Sequence, residues 1–341
     1  MTRLRWFGVL LGAMLVTAGC GGEGRPHHQQ APALRIALLL DSLKEERWKR
    51  DQDLFVERAK QLGAEVSVKA ANGDAALQEQ QAKDVLAEGA KALVVVPVDT
   101  EKAAAIVALA AEKKVPVISY DRLIRNADIA LYVSFDNVKV GRMQAEYLLN
   151  KAPKGNYILI GGSQTDNNAK LLRQGQMEML KPAIAAGSVK IVDDPWAEGW
   201  AADKARDETA AALKKAHNNV VAVVASNDGT AGGAVDALTE AKLAGKVFVS
   251  GQDAELGAMR RIVAGTQVMT VYKPIRPLAR MAAGAAVNMA KGQTEDGLVS
   301  INNGKKDVPA RLLEPISVDK ESIDRTVIAD GYHKQAEVYQ K

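Results

Sequence analysis

From Leu34 onward, short apolar runs rich in β-branched residues alternate with longer stretches whose apolar positions recur every three or four residues. The runs at 34–40, 65–69, 92–96, 115–120 and 131–135 read as strands, separated by helical spacing over 44–62, 74–87 and 101–113. After a helix opening at Asp136-Asn137 and running to 150, a second series follows. Its strands are expected at 157–160, 189–192, 220–225 and 247–250, its helices at 168–180, 201–216, 230–243 and 256–264. A strand at 266–272, an alanine-rich helix at 276–291, a turn at 302–304 and short apolar pieces such as 311–316 complete the chain. Two successive βαβα series predict two doubly wound parallel sheets, each the centre of its own lobe. At 341 residues the chain is long enough for two cores.

The strands end abruptly on polar residues. The run 115–120 stops at Asp121-Arg122, and 34–40 stops at Asp41, soon followed by Arg47-Trp48. Gly161-Gly162 leads to Asp166 and Asn168, and 220–225 leads to Asn227. Asp253 follows the strand at 247–250, Trp200 opens the helix after Glu198-Gly199, and Lys273 follows Tyr272. Ligands of open α/β sheets bind beyond the carboxyl ends of the strands. A sugar hydroxyl both donates and accepts, so its pocket needs acceptor-only carboxylates, donor-only cations and amides. The apolar C–H face of a pyranose suits an indole. Taken singly, each of these residues could equally be a helix cap or a solvated charge. Their recurrence at one sheet edge is what points to a cleft for a small polar molecule.

Other chemistries find little support. The sequence lacks His-Glu-x-x-His, a Cys/His cluster and a Gly-x-Ser-x-Gly elbow, and its four histidines adjoin no acid–nucleophile pair. The segment 227–233 has the glycines of a phosphate loop without the Gly-Lys-Ser/Thr ending, so a strand-to-helix turn with small residues for close packing is the better reading. No enzyme, metal or cofactor is expected. The formal charge is +4, to which Arg3 and Arg5 contribute two, and the basic residues are spread along the helices, which argues against nucleic acid.

The N-terminus carries Arg3 and Arg5, an apolar stretch at 6–16 too short to span a bilayer, and Thr17-Ala18-Gly19-Cys20. This resembles a bacterial lipobox: residues 1–19 would be removed and Cys20, the only cysteine, acylated. A plain secretory signal is the alternative. With one cysteine there is no intramolecular disulfide. Residues 20–33 are rich in Gly, Pro and Gln and read as a flexible tether.

Several segments are similar to periplasmic binding proteins of the ribose/galactose class, and within it to the members that bind D-xylose for ABC importers. They include E-R-W-K-R-D (46–51), P-V-I-S-Y-D-R-L-I (116–124), Y-V-S-F-D-N-V-K-V-G (132–141) and G-G-S-Q-T-D-N-N-A-K-L (161–171). Also similar are A-S-N-D-G-T-A-G-G (225–233), S-G-Q-D-A (250–254), G-T-Q-V-M-T-V-Y-K-P (265–274) and N-N-G-K-K-D-V-P-A-R-L-L (302–313). The resemblance implies ligand contacts at Arg47, Trp48, Asp121, Arg122, Asp166, Asn168, Trp200, Asn227, Asp253 and Lys273. The segment 41–45 departs from the family and leaves the pocket rim open. The type I fold is implied, with chain crossings near 135–136, 272–274 and 302–304. One lobe would then comprise 34–135 and 274–303, the other 136–273 and 304–341. The implied partners are a monosaccharide, with D-xylose first and arabinose, glucose or galactose as alternatives, and a permease with its ATPase. A chemoreceptor or histidine kinase is the alternative partner. A monomer held to the membrane only through Cys20 is expected. A sugar-responsive transcription factor shares this fold but would begin with a helix-turn-helix.

Overall fold

A computed structural model describes residues 34–295 and 299–340. Cys20, the leader and the tether lie outside the described residues. The first series runs β1 (Leu34–Leu40), α1 (Glu46–Gln61), β2 (Ala64–Ala70), α2 (Ala75–Ala87), β3 (Leu93–Val95), α3 (Ala104–Glu112), β4 (Val117–Tyr120) and β5 (Leu131–Phe135). The second runs α4 (Asn137–Lys151), β6 (Gly155–Ile160), α5 (Asn167–Ala185), β7 (Val189–Asp193), α6 (Ala202–Lys215), β8 (Ala222–Ala225), α7 (Asp228–Glu240), β9 (Phe248–Val249) and α8 (Leu256–Ala264). The chain closes with β10 (Thr270–Tyr272), α9 (Ile275–Ala290), β11 (Val299–Asn302), β12 (Asp307–Leu313), β13 (Ile316–Val318) and α10 (Gln335–Val338).

Three sheets result. The first has the order β11-β12-β5-β4-β3-β1-β2, the second β7-β6-β8-β9, and β10 pairs with β13 as an antiparallel ribbon. Pairing is parallel throughout the first two sheets except for the β11–β12 hairpin. Alternation along β1 shows why both faces are covered. Ile36, Leu38 and Leu40 join the core under α1 and α9, whereas Ala37 and Leu39 join the one under α2 and α3. In the second sheet Ile158 and Ile160 face one core, Tyr157 and Leu159 the other.

The chain leaves the first sheet between Phe135 and Asn137, where the Asp136 side chain caps α4 by accepting from the Lys139 amide. It returns at Lys273-Pro274, ahead of α9. The third crossing is not at 302–304. Those residues turn the β11–β12 hairpin, and β12 continues the first sheet by pairing Ala310 with Tyr132 through to Leu313 with Phe135. The Asn303 amide donates to the carbonyls of Ile124 and Ala127, which ties the turn to that sheet. The crossing therefore falls between Leu313 and Ile316, and residues 304–313, expected in the second lobe, belong with the first. The strand expected over 266–272 is confined to β10 because the backbone amides of Thr266 and Gln267 donate to the Arg261 carbonyl near the end of α8 instead of to a neighbouring strand.

Helices α4 and α5 cross at two glycines. A Cβ on Gly175 would lie 1.9 Å from the Val138 carbonyl oxygen, and one on Gly141 would lie 2.0 Å from that of Leu172. Backbone cannot yield as a side-chain tip can, so Gly175→Ala should destabilise the protein by about 1–3 kcal/mol through forced separation of the pair. Urea unfolding measures this, and an unchanged midpoint would contradict the packing.

Candidate ligand-binding site

The carboxyl edges of the two large sheets face each other across a cavity with about 330 Å³ of free space. All ten residues singled out from the sequence line it, joined by Glu45 and Gln252. The first turn of α1 supplies Arg47 and Trp48. This helix buries Arg47, Asp51, Phe55 and Ala59 at four-residue intervals, so a single stripe is polar at the cavity and apolar in the core. The end of β4 supplies Asp121 and Arg122. From the other side come Asp166 and Asn168 at the start of α5, Trp200 from the turn before α6, Asn227 at the cap of α7, and Asp253 after β9. Lys273 stands on the second crossing.

Arg47 is the hub of the charges. Its Nε lies 3.2 Å from an Asp51 oxygen, its Nη2 2.9 Å from Asp121 and its Nη1 3.5 Å from Asp253. The ammonium of Lys273 lies 3.0 Å from Asp253 and 3.9 Å from Asp121. Arg122 spans the two sides, donating to Asp41 at 2.6 Å and lying 2.8 Å from Asp166. Five carboxylates thus surround three cations, all nearly buried. With every cation already paired and acid in excess, the cavity opposes an anionic ligand and suits a neutral one.

Ionisation follows from these contacts. Burial works against the charge on Asp121, but Arg47, Lys273 and Arg122 outweigh it and hold the carboxyl below its usual range. Burial dominates at Asp51 and Asp166 and raises both, against Arg47 and Arg122 respectively. Burial also opposes the charge on Arg47, yet Asp121, Asp51 and Asp253 keep the guanidinium more firmly protonated than usual.

The backbone is bent to present these groups. Asp121, Trp200 and Asp253 have φ of 61°, 57° and 97°, uncommon for residues with a side chain. The Asp121 carbonyl is held by three donors: Ser134 Oγ at 2.6 Å, Tyr132 Oη at 3.0 Å and Asn168 Nδ2 at 3.1 Å. That last amide also donates to Asp121 Oδ1 at 3.0 Å, and Asn137 donates to Asn168 Oδ1. Asp166 caps α5 through the Asn168 amide and accepts from the Trp200 indole at 3.2 Å. The Trp200 ring lies flat on Gly162, where a Cβ would meet it at 2.3 Å. Close packing thus explains that glycine. Asn227 and Thr230 form a reciprocal cap on α7.

Both indoles are buried, Trp48 at 3% and Trp200 at 9% exposure. Each comes from a different side of the cavity. The Arg47 and Arg122 guanidiniums lie 4.4 Å and 5.6 Å from the Trp48 ring centre. Trp48 Nε1, Glu45 Oε2 and Gln252 Oε1 are buried without hydrogen-bond partners among the described residues, an expensive arrangement unless something else supplies them. Glu45 and Gln252 escaped the sequence reading, although each sits within two positions of a residue that it did single out. No group of His, Cys, Asp and Glu among the described residues could hold a metal ion, and no described helix is long and apolar enough to cross a membrane.

Beyond the cavity, Asp228 accepts from Gln267, Thr270 and the Glu255 amide. Burial, only partly offset by Arg261, pushes its carboxyl up to about 7. Burial, then the charges of Asp228 and Asp253, push Glu255 up to about 8. A carboxyl whose pKa is raised by folding binds more protons in the native than in the unfolded chain at intermediate pH. Its stabilising effect is complete below the unfolded value near 4 and is lost as pH rises through the folded value. Between pH 5 and 8 the urea midpoint should therefore fall, and Glu255→Gln should flatten that slope. A slope unchanged in the variant would contradict the assignment.

Two facing α/β lobes with a polar, indole-lined cavity between their strand ends define a solute-binding protein of the type I fold. The chain belongs to the periplasmic binding protein family, matching its domain over residues 36–294. It is 49% identical over 306 residues to the D-xylose-binding periplasmic protein of Haemophilus influenzae, covering 90% of this chain and 92% of that one. It is 48% identical over 308 residues to the protein of the same description from Escherichia coli K12, covering 90% and 93%. Among solved structures, a carbohydrate transporter solute-binding protein from Chloroflexus aurantiacus in complex with D-glucose superposes with a TM-score of 0.83. The two share 32% identity, over 89% of this chain and 98% of that one. The Haemophilus and Escherichia relatives are thus periplasmic sugar-binding proteins, and the Chloroflexus one is the solute-binding protein of a carbohydrate transporter.

Proposed function

We propose that the protein is the solute-binding component of an ABC sugar importer and that D-xylose is its cargo. The observation that carries this reading is the convergence of ten side chains from both lobes on one cavity whose charges are paired internally. Carboxylates of Asp121, Asp166 and Asp253 accept from sugar hydroxyls. Arg47, Arg122, Lys273 and the amides of Asn168 and Asn227 donate to them. Trp48 and Trp200 cover the ring and exclude water.

One lobe comprises 34–135 with 274–313 and the other 136–273 with 314–340, joined by the crossings at 135–136, 273–274 and 314–315. A few residues there absorb the closing motion while both cores stay rigid. Sugar that touches both lobes favours the closed form by its differential affinity alone. The closed monomer then delivers the sugar to the permease and its ATPase, and a chemoreceptor or histidine kinase could read the same state. Cys20 is proposed as the acylated membrane anchor, which mass spectrometry of the exported protein would test.

A pentopyranose must place only its ring and hydroxyls between the indoles, whereas a hexose must also place a CH₂OH. D-glucose is the second reading, favoured by the ligand of the Chloroflexus structure. Titration calorimetry should give micromolar or tighter binding of D-xylose, with glucose and ribose weaker. Strong heat from glucose with none from xylose would replace the cargo. Absence of heat from every neutral monosaccharide would overturn the reading.

A further inference from the structure

A second recess, open to solvent and with about 700 Å³ of space including its mouth, shares part of its wall with the first. Glu45, Arg122, Asp166 and Trp200 line both. Its remaining polar wall draws on Asp41, Ser42, Lys44 and Asn72 from one lobe and Ser163, Thr165 and Glu198 from the other. Acceptors, hydroxyls, an amide and an indole recur here in the combination that suits a carbohydrate. Glu45 sits at the neck beside Arg122, and its buried Oε2 has no hydrogen-bond partner among the described residues. The exposed Asn72 amide makes no hydrogen bond among the described residues, on a backbone held at a φ of 52°. Carboxylates outnumber cations, so a ring bearing its own carboxylate would be repelled.

We propose that this outer chamber is a second sugar subsite: the protein takes a neutral, glycosidically linked pair of pyranoses as well as a single ring. The inner ring occupies the chamber between Trp48 and Trp200, and the outer ring lies across the neck with Glu45 Oε2 accepting from one of its hydroxyls. This inference rests on the monosaccharide reading of the inner cavity.

The test is calorimetric titration of the protein with D-xylose and, separately, with β-1,4-linked xylobiose. The same titrations are repeated on Asn72→Trp and Ser42→Trp, whose indoles would fill the outer chamber without touching the inner one. Xylobiose should bind at one site within about tenfold of xylose, and each substitution should weaken xylobiose at least about tenfold while leaving xylose unchanged. Heat from xylose with none from xylobiose would overturn the second subsite and leave the monosaccharide reading standing. Xylobiose binding indifferent to both tryptophans would overturn it too. No heat from either sugar would sink the D-xylose reading and this inference with it.

Discussion

Arg47→Met should destabilise the protein by about 3–5 kcal/mol, the range expected when one partner of a buried charge network is removed. The guanidinium stands between Asp51, Asp121 and Asp253, each buried. Methionine fills much of the same volume but leaves the three carboxylates facing one another. Lys273 still reaches Asp121 and Asp253, while Asp51 keeps the phenol of Tyr120 as its one hydrogen-bond partner among the described residues. Asp51, already raised by burial, would then take up a proton more readily. Urea unfolding at pH 7 measures the loss, and the variant should recover part of it as the pH is lowered toward 5. A midpoint within experimental error of the wild type would show that the charges are not a network.

Asp121→Ala should weaken xylose binding by about 2–5 kcal/mol, or about thirtyfold to several thousandfold in Kd. The loss has two parts: a hydroxyl loses its acceptor, and Arg47 and Lys273 each lose a counter-charge inside the cavity. Because Asp121 has φ of 61°, alanine adds backbone strain that could be mistaken for a binding effect. Asparagine tolerates that conformation while removing the charge. Asp121→Asn should therefore lose less stability than the alanine variant, only the part due to the missing charge, and still bind xylose far more weakly. Wild-type affinity in both variants, measured by calorimetry, would place the sugar elsewhere.

Much of this site was legible because period and position carry information that needs no tertiary structure. A β-branched run ending on Asp121-Arg122 marks a strand edge, and Asp166 or Asn227 just before a helical period marks a cap that faces the same edge. What was not legible is pairing at long range. Arg47 and Asp253 are 206 positions apart, and nothing local requires them to meet. The left-handed backbone at Trp200 and Asp253 has no glycine to announce it. Strand β11 is short and mostly exposed, with Ile301 alone half-buried against a core, and β12 alternates buried Val308 and Ala310 with exposed Asp307 and Pro309. Its membership of the first sheet is set by pairing with β5, so the third crossing was expected ten residues too early. Glu45 and Gln252 were missed because a polar residue beside a recognised one reads as solvated until the cavity shows otherwise.

The central claim is that one uncharged sugar is held where the two lobes meet, between Trp48 and Trp200. A crystal structure of the protein grown with D-xylose tests it most directly. The account predicts electron density for one pyranose between the two indoles, with hydroxyl oxygens at hydrogen-bond distance (about 2.6–3.2 Å) from Asp121, Asp166 and Asp253. Xylose bound on any other surface, with the cavity between the indoles holding only solvent, would contradict it.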